Sequence, residues 1–261
     1  MASGFAAVIG VSIFFVTAGK GVPVVYVHGN TGSSVWFRPV MDVPGCRAVA
    51  IDMPNFGQSS PLDGDISIQR YAAYVAGFMD LKGIKEAVVV GHSLGGCVVQ
   101  ALALERPGLV KAMVLVDSGA PNGLVTPKDR HPVIELMRTN RAVLEQALKA
   151  TVPTLKDDAL FKTIVDDAQK MAPPAWIGNA EALSHFDITS RCAEYEGQVL
   201  VMRGTLDPII TDEMARATAG AYRHAKLVTL EGVGHSVTVE NPVLFLQIFR
   251  DFLAEQGICK K

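Results

Sequence analysis

Ser93 is the centre of Gly91-His92-Ser93-Leu94-Gly95, which lies between a run of valines and a segment with helical character. A serine hydroxyl is a weak nucleophile until a base takes its proton and an acid orients that base. A sharp strand-to-helix turn would lift such a hydroxyl clear of the sheet. It tolerates only glycine two residues to either side, because bulk there would collide with the neighbouring strand and helix. The same turn puts the backbone N–H of Leu94 at a helix N-terminus, where unsatisfied donors and the helix dipole favour a developing negative charge.

Of the six histidines, His235 is the expected base, because LEGVGHSVTVENP places it in a glycine-containing loop after the last apolar run. His28 and His92 adjoin the ends of apolar runs and are expected to shape the backbone locally. His131, His185 and His224 sit in polar, surface-like contexts. The acid should fall between Ser93 and His235 in chain order. Asp207, in VLVMRGTLDPII, is favoured because its strand would adjoin the one leading to His235. Asp117, in VLVDSGAP, is the alternative; its bland reading is a strand-end residue capping the following turn.

Residues so far apart need a scaffold that gathers loops at one edge. The apolar runs VPVVYVHG, RAVAIDMP, EAVVVGHS, KAMVLVDS, QVLVMRG and AKLVTLEG are nearly continuous, as expected of strands buried on both faces of a parallel sheet. Helical segments over 68–82, 94–106, 212–222 and 242–256 alternate with them, which predicts an α/β fold with a doubly wound, mostly parallel sheet. Loops at the carboxyl ends of such strands are where a site assembles. From residue 122 to 198 the rhythm breaks. Only amphipathic stretches around 133–148 and 159–171 and the turn signal Pro173-Pro174 remain, so this segment is expected to be an inserted helical cap. The core is then 1–121 and 199–261, with the cap at 122–198.

The 261 residues are 49% hydrophobic and 19% charged, which excludes disorder and coiled coil. A chain of this size buries about 70–75% of its unfolded surface, so a large core is feasible. The formal charge of −2 and the lack of a basic block argue against nucleic acid as a partner. Residues 1–19 carry no charged side chain and admit two readings, a signal segment or edge strands. The absence of a preceding Lys or Arg, the interrupting Gly and Ser, and the β-branched content favour strands, with SIFFVTAGKGVPVVYVHG read as strand, Lys20-Gly21 turn, strand. Cys46, Cys97, Cys192 and Cys259 have neither a CxxC nor a zinc spacing and are expected to be reduced thiols of a cytoplasmic protein with no membrane partner. No metal cluster, phosphate loop or cofactor motif is read in the sequence.

Taken in order, YVHGNTGSS, DMPNFGQS, GHSLGG, RGTLDP and GVGHSVTVENP resemble the α/β-hydrolase superfamily, specifically its esterase-like members with a helical lid. The likeness covers the chain outside 122–198. It implies a catalytic triad of Ser93, Asp207 and His235, and a second oxyanion donor in the backbone N–H of Asn30 beside that of Leu94. Asn55 stands where relatives usually have glycine; asparagine tolerates positive φ, so the turn is expected to survive. The activity implied is that of a carboxylesterase acting on a small to medium ester-like substrate through an acyl-enzyme. A carbon–carbon bond hydrolase or lactonase with the same triad, and a non-catalytic ligand-binding protein on the same fold, are the alternatives.

Overall fold

The apolar runs form six adjacent strands of one eight-stranded sheet in the computed structural model, which describes residues 1–258. The strands are β1 (Ala2–Val8), β2 (Val11–Gly19), β3 (Val22–Val27), β4 (Cys46–Ile51), β5 (Ala87–His92), β6 (Val110–Val116), β7 (Gln198–Gly204) and β8 (Ala225–Leu230). Their order is β1-β2-β4-β3-β5-β6-β7-β8. The β1–β2 and β2–β4 pairs are antiparallel and the remaining pairs parallel. Every residue of β5 is buried, whereas only Leu230 of edge strand β8 is.

The Lys20-Gly21 turn joins two strands as expected, but they are not partners. β2 pairs with β4, and β4 with β3, so the chain steps across one sheet position there. The N-terminal hairpin is β1–β2, turned by Ile9 and Gly10 at φ 49° and 79°.

Alternate strand residues feed two cores, as the two-residue period of a strand requires. Val25, Val27 and Val89 join one core with α1 (Ile68–Leu81) and α2 (Leu94–Glu105). Val24, Tyr26, Val88 and Val90 join the other, with Phe245, Phe249 and Phe252 of the last helix, Pro242–Glu255, and with a 3₁₀ turn over Ser34–Val40. From β3 the chain moves to β4 on one side, while β5 lies on the other. This reversal is a topological switch point, and in sheets of this kind such a point is where a crevice forms, here at the carboxyl ends of β3 and β5.

Between β6 and β7 come α3 (His131–Thr139), α4 (Arg141–Thr151), α5 (Asp158–Ala168) and α6 (Pro173–Ser184). The amphipathic stretch around 133–148 is two helices rather than one. Asn140 leaves helical geometry at φ −127°, and its side chain caps α4 by accepting from the N–H groups of Ala142 and Val143. Pro173-Pro174, read as a turn, occupies the first turn of α6, where a missing N–H costs nothing. Two further helices, α7 (Asp212–Ala221) and α8 (Val237–Glu240), precede the terminal one, α9. Cys97 and Cys192 are buried free thiols, while Cys259 and the Lys260-Lys261 tail lie outside the described residues.

Candidate active site

Ser93 occupies the turn between β5 and α2 at φ 53° and ψ −119°, a conformation that costs of order 1–3 kcal/mol unless its surroundings impose it. They do so through the backbone: the Ser93 N–H donates to Val116 O at 3.0 Å, and its carbonyl accepts from Gly96 N at 2.9 Å. A Cβ on Gly95 would strike the carbonyl oxygens of Val27 and His28, and one on Gly91 would run into Gly95 and Gly96, so both flanking glycines are required by close approach. Leu94 is the first residue of α2, so its N–H has no intrahelical acceptor. Asn30 lies in the loop after β3. Its neighbour Gly29 seats that loop so closely on the turn that an added Cβ would stand 2.8 Å from Ser93 Cβ.

Asp207 follows β7 and His235 follows β8; a bond from Leu206 N to Val233 O at 2.8 Å ties their loops together. His235 Nδ1 faces Asp207 Oδ2 at 2.7 Å, leaving Nε2 as the basic nitrogen. The other oxygen of Asp207 accepts from the N–H groups of Ile209 at 2.7 Å and Ile210 at 3.1 Å. Burial works to raise the Asp207 carboxyl, but the hydrogen bond and charge of His235 and those two N–H groups outweigh it and hold the carboxyl below its ordinary value. The Ser93 hydroxyl makes no hydrogen bond among the described residues; catalytic contacts of this kind tighten when substrate binds.

His92, expected to act locally, reaches farther. Its Nε2 stands 2.8 Å from both the His235 carbonyl oxygen and Ser236 Oγ, so the residue beside Ser93 holds the backbone of His235. A carbonyl can only accept, so Nε2 carries the proton. Burial and then the adjacent His235 push His92 down to about 3, so it stays neutral. Trp36 stacks on its far face with ring centroids 5.6 Å apart. His28 behaves as a local strut: Nδ1–H donates to Gly29 O at 2.8 Å and Nε2 accepts from Met53 N at 2.9 Å. Glu240, at the end of α8, was not singled out from sequence. It accepts from Gly234 N and Ser236 N on either side of His235, and from Thr154 in the turn between α4 and α5. An acid shortly after Gly-His-Ser is the signal that could have found it.

Asp117, the alternative acid, is also present at this point. A carboxylate oxygen of Asp117, one of Asp207 and a ring nitrogen of His235 all lie within 4.8 Å of one another. The other histidines do not join them: His185 and His224 are exposed and His131 is half-buried on α3.

The inserted helices meet the same loops through side chains and backbone. Asn179, fully buried on α6, donates to Asn30 Oδ1 at 2.8 Å and accepts from Tyr71 OH at 2.8 Å. Tyr71 OH in turn accepts from Asn55 Nδ2 at 3.0 Å, and Asn55 does adopt positive φ, 78°. Asp167 on α5 accepts from Ser33 Oγ, and the His235 N–H donates to Thr151 O at 2.8 Å.

Comparison with known proteins agrees with this architecture. Residues 22–242 match the family described as the alpha/beta hydrolase fold. The chain is 34% identical over 161 residues, 55% of its length, to the dihydrolipoyllysine-residue acetyltransferase component of an acetoin cleaving system from Cupriavidus necator, and spans 42% of that relative. It is 24% identical over 261 residues to a pimeloyl-acyl-carrier-protein methyl ester esterase from Yersinia pseudotuberculosis, covering 93% of this chain and 98% of the relative. It is 28% identical over 260 residues to a 2-hydroxymuconate semialdehyde hydrolase from Pseudomonas putida, covering 91% and 89%. Among solved structures, an enol-lactonase from Burkholderia xenovorans LB400 shares the fold with TM-score 0.87 at 22% identity, over 96% of this chain and all of that one.

Proposed function

From the premise that the chain belongs to the alpha/beta hydrolase fold family, we propose that it is a serine hydrolase cleaving the carboxylic ester of a small to medium substrate through an acyl-enzyme on Ser93. The observation that carries this reading is the His235–Asp207 hydrogen bond on a loop that His92 fastens beside Ser93. His235 Nε2 takes the Ser93 proton as the hydroxyl attacks the ester carbonyl, and Asp207 stabilises the imidazolium. The backbone N–H groups of Asn30 and Leu94 hold the oxyanion. Collapse expels the alcohol, protonated by His235, and a water activated by the same nitrogen then hydrolyses the acyl-enzyme. The helices within 122–198 serve as the lid over this crevice and carry substrate preference. Buried thiols at Cys97 and Cys192 suit a reducing, cytoplasmic setting.

Ser93→Ala tests the mechanism: kcat toward a short-chain aryl ester is expected to fall by about 10⁴ or more, and a phosphonylating reagent to label Ser93 alone in the parent protein. Full activity in that variant, or labelling elsewhere, defeats the proposal. Absence of turnover and of labelling in the parent would favour a ligand-binding protein. Similarity to the Pseudomonas putida semialdehyde hydrolase favours a second reading, carbon–carbon bond cleavage with the same triad. Comparing kcat/KM across simple esters, lactones and vinylogous diketones separates the readings.

A further inference from the structure

Asp117 follows β6 at φ 43° and is completely buried. One of its oxygens, Oδ1, accepts from Gly204 N at 2.9 Å. The other, Oδ2, is buried with no hydrogen-bond partner among the described residues. An orphaned carboxyl oxygen is costly, and this one belongs to a side chain that already reaches within 4.8 Å of both Asp207 and His235. Two carboxylates so close and so dry cannot both ionise readily. Asp207 has the stronger claim to the negative charge, with two N–H donors and an imidazole against a single N–H for Asp117. Burial first, and then the charge of Asp207, hold the Asp117 carboxyl well above its ordinary value. The titratable groups around it are Asp207, His235 and, farther off, Glu240, with His92 beyond His235.

We propose that Asp117 is a positioning residue of this site, a proton-bearing carboxyl beside Asp207 that orients His235 and stabilises its imidazolium when Asp207 cannot. This rests on the serine hydrolase reading. With Asp207 replaced by asparagine, Asp117 releases its proton to solvent and turns its carboxylate to His235 Nδ1–H. His235 Nε2 then accepts the Ser93 proton as before. Asparagine at 117 removes that capacity while its amide oxygen still accepts from Gly204.

The test is a double-mutant cycle of Asp117→Asn and Asp207→Asn, with kcat and KM followed across pH and Ser93→Ala as the baseline. The double variant is expected to lose about 10⁴ in kcat, the scale of a lost triad acid. Asp207→Asn alone is expected to stay roughly tenfold or more above it, a coupling within the range seen for residues in one network. That residual activity should rise with pH as Asp117 ionises, beyond any rise that the double variant, which keeps the His235 base, also shows. A merely structural Asp117 would produce neither the excess nor the pH limb. If Asp207→Asn does not fold, Asp207→Ala in the parent and Asp117→Asn backgrounds gives the same comparison. Equal kcat for the Asp207 variant and the double variant at every pH overturns the proposal. An active Ser93→Ala would instead overturn the hydrolase reading itself, so the two failures are distinct.

Discussion

The turn at Ser93 and the inserted helices meet at the carboxyl edge of the sheet, yet they are held in different ways. At the turn the neighbours are backbone: Val116 and Gly96 fix Ser93, and the carbonyls of Val27 and His28 leave room for nothing larger than hydrogen at Gly95. The insertion is fastened by side chains, Asn179 to Asn30, Asp167 to Ser33 and Glu240 to Thr154, with two backbone bonds beside them, from His235 N to Thr151 O and from Ala172 N to Asn55 O. Backbone geometry is indifferent to most substitutions and sets the chemistry. Side-chain fastening can be rewritten residue by residue, which suits the role in substrate preference proposed for this region.

The sharpest way to break this contrast is Gly95→Ala. It should cost about 1–3 kcal/mol or more in thermal unfolding, as overpacking does, and kcat should fall by about 10² to 10³ if the Leu94 N–H is displaced. A well-folded, fully active Gly95→Ala would show that the turn has slack. Asn179→Leu should act less on the chemistry. It leaves Asn30 Oδ1 without its donor and the Tyr71 hydroxyl without its acceptor, costing about 1–3 kcal/mol, and kcat is expected to drop more than KM rises if the Asn30 N–H holds the oxyanion as proposed. A change confined to KM would detach the insertion from the oxyanion donor. The smallest effect separates the two carboxyls by pH. Asp207 titrates below its ordinary value, so it adds stability that is present above that value and lost as pH falls through its folded one. Asp117 titrates above, so the folded state holds a proton the unfolded chain releases, and its contribution declines as pH rises beyond the ordinary carboxyl value. Asp117→Asn should therefore gain stability relative to the parent as pH increases, measured by thermal melts across pH; a constant difference would contradict the assignment.

The parallel sheet was legible because β5 and its neighbours are apolar at nearly every position, and Gly91-His92-Ser93-Leu94-Gly95 marked one turn through a steric requirement that one-dimensional spacing preserves. Asp207 and His235 followed from their places after strand ends. What sequence did not reveal depended on strand order. That β2 lies beside β4 rather than β3, and that Asp117 meets Asp207 and accepts from Gly204 on the neighbouring strand rather than capping the turn after it, are facts about which strands neighbour each other. The break at Asn140 was hidden because α3 and α4 continue the same amphipathic pattern, while a capping side chain alone marks the boundary.

The fastening of the insertion is uneven along its length. α4, α5 and α6 each carry a hydrogen bond to the core, through Thr151, Asp167 and Asn179. Those made by residues 124–139 end within the insertion itself, at Leu183, Ser184 and neighbours in α3, and Val125, Val133 and Leu136 show apolar surface to solvent. Segments with few buried ties open at the least cost. The α3 corner can therefore loosen while the other three helices keep their hold on His235, Ser33 and Asn30, so its motion need not disturb the proposed base or oxyanion loop.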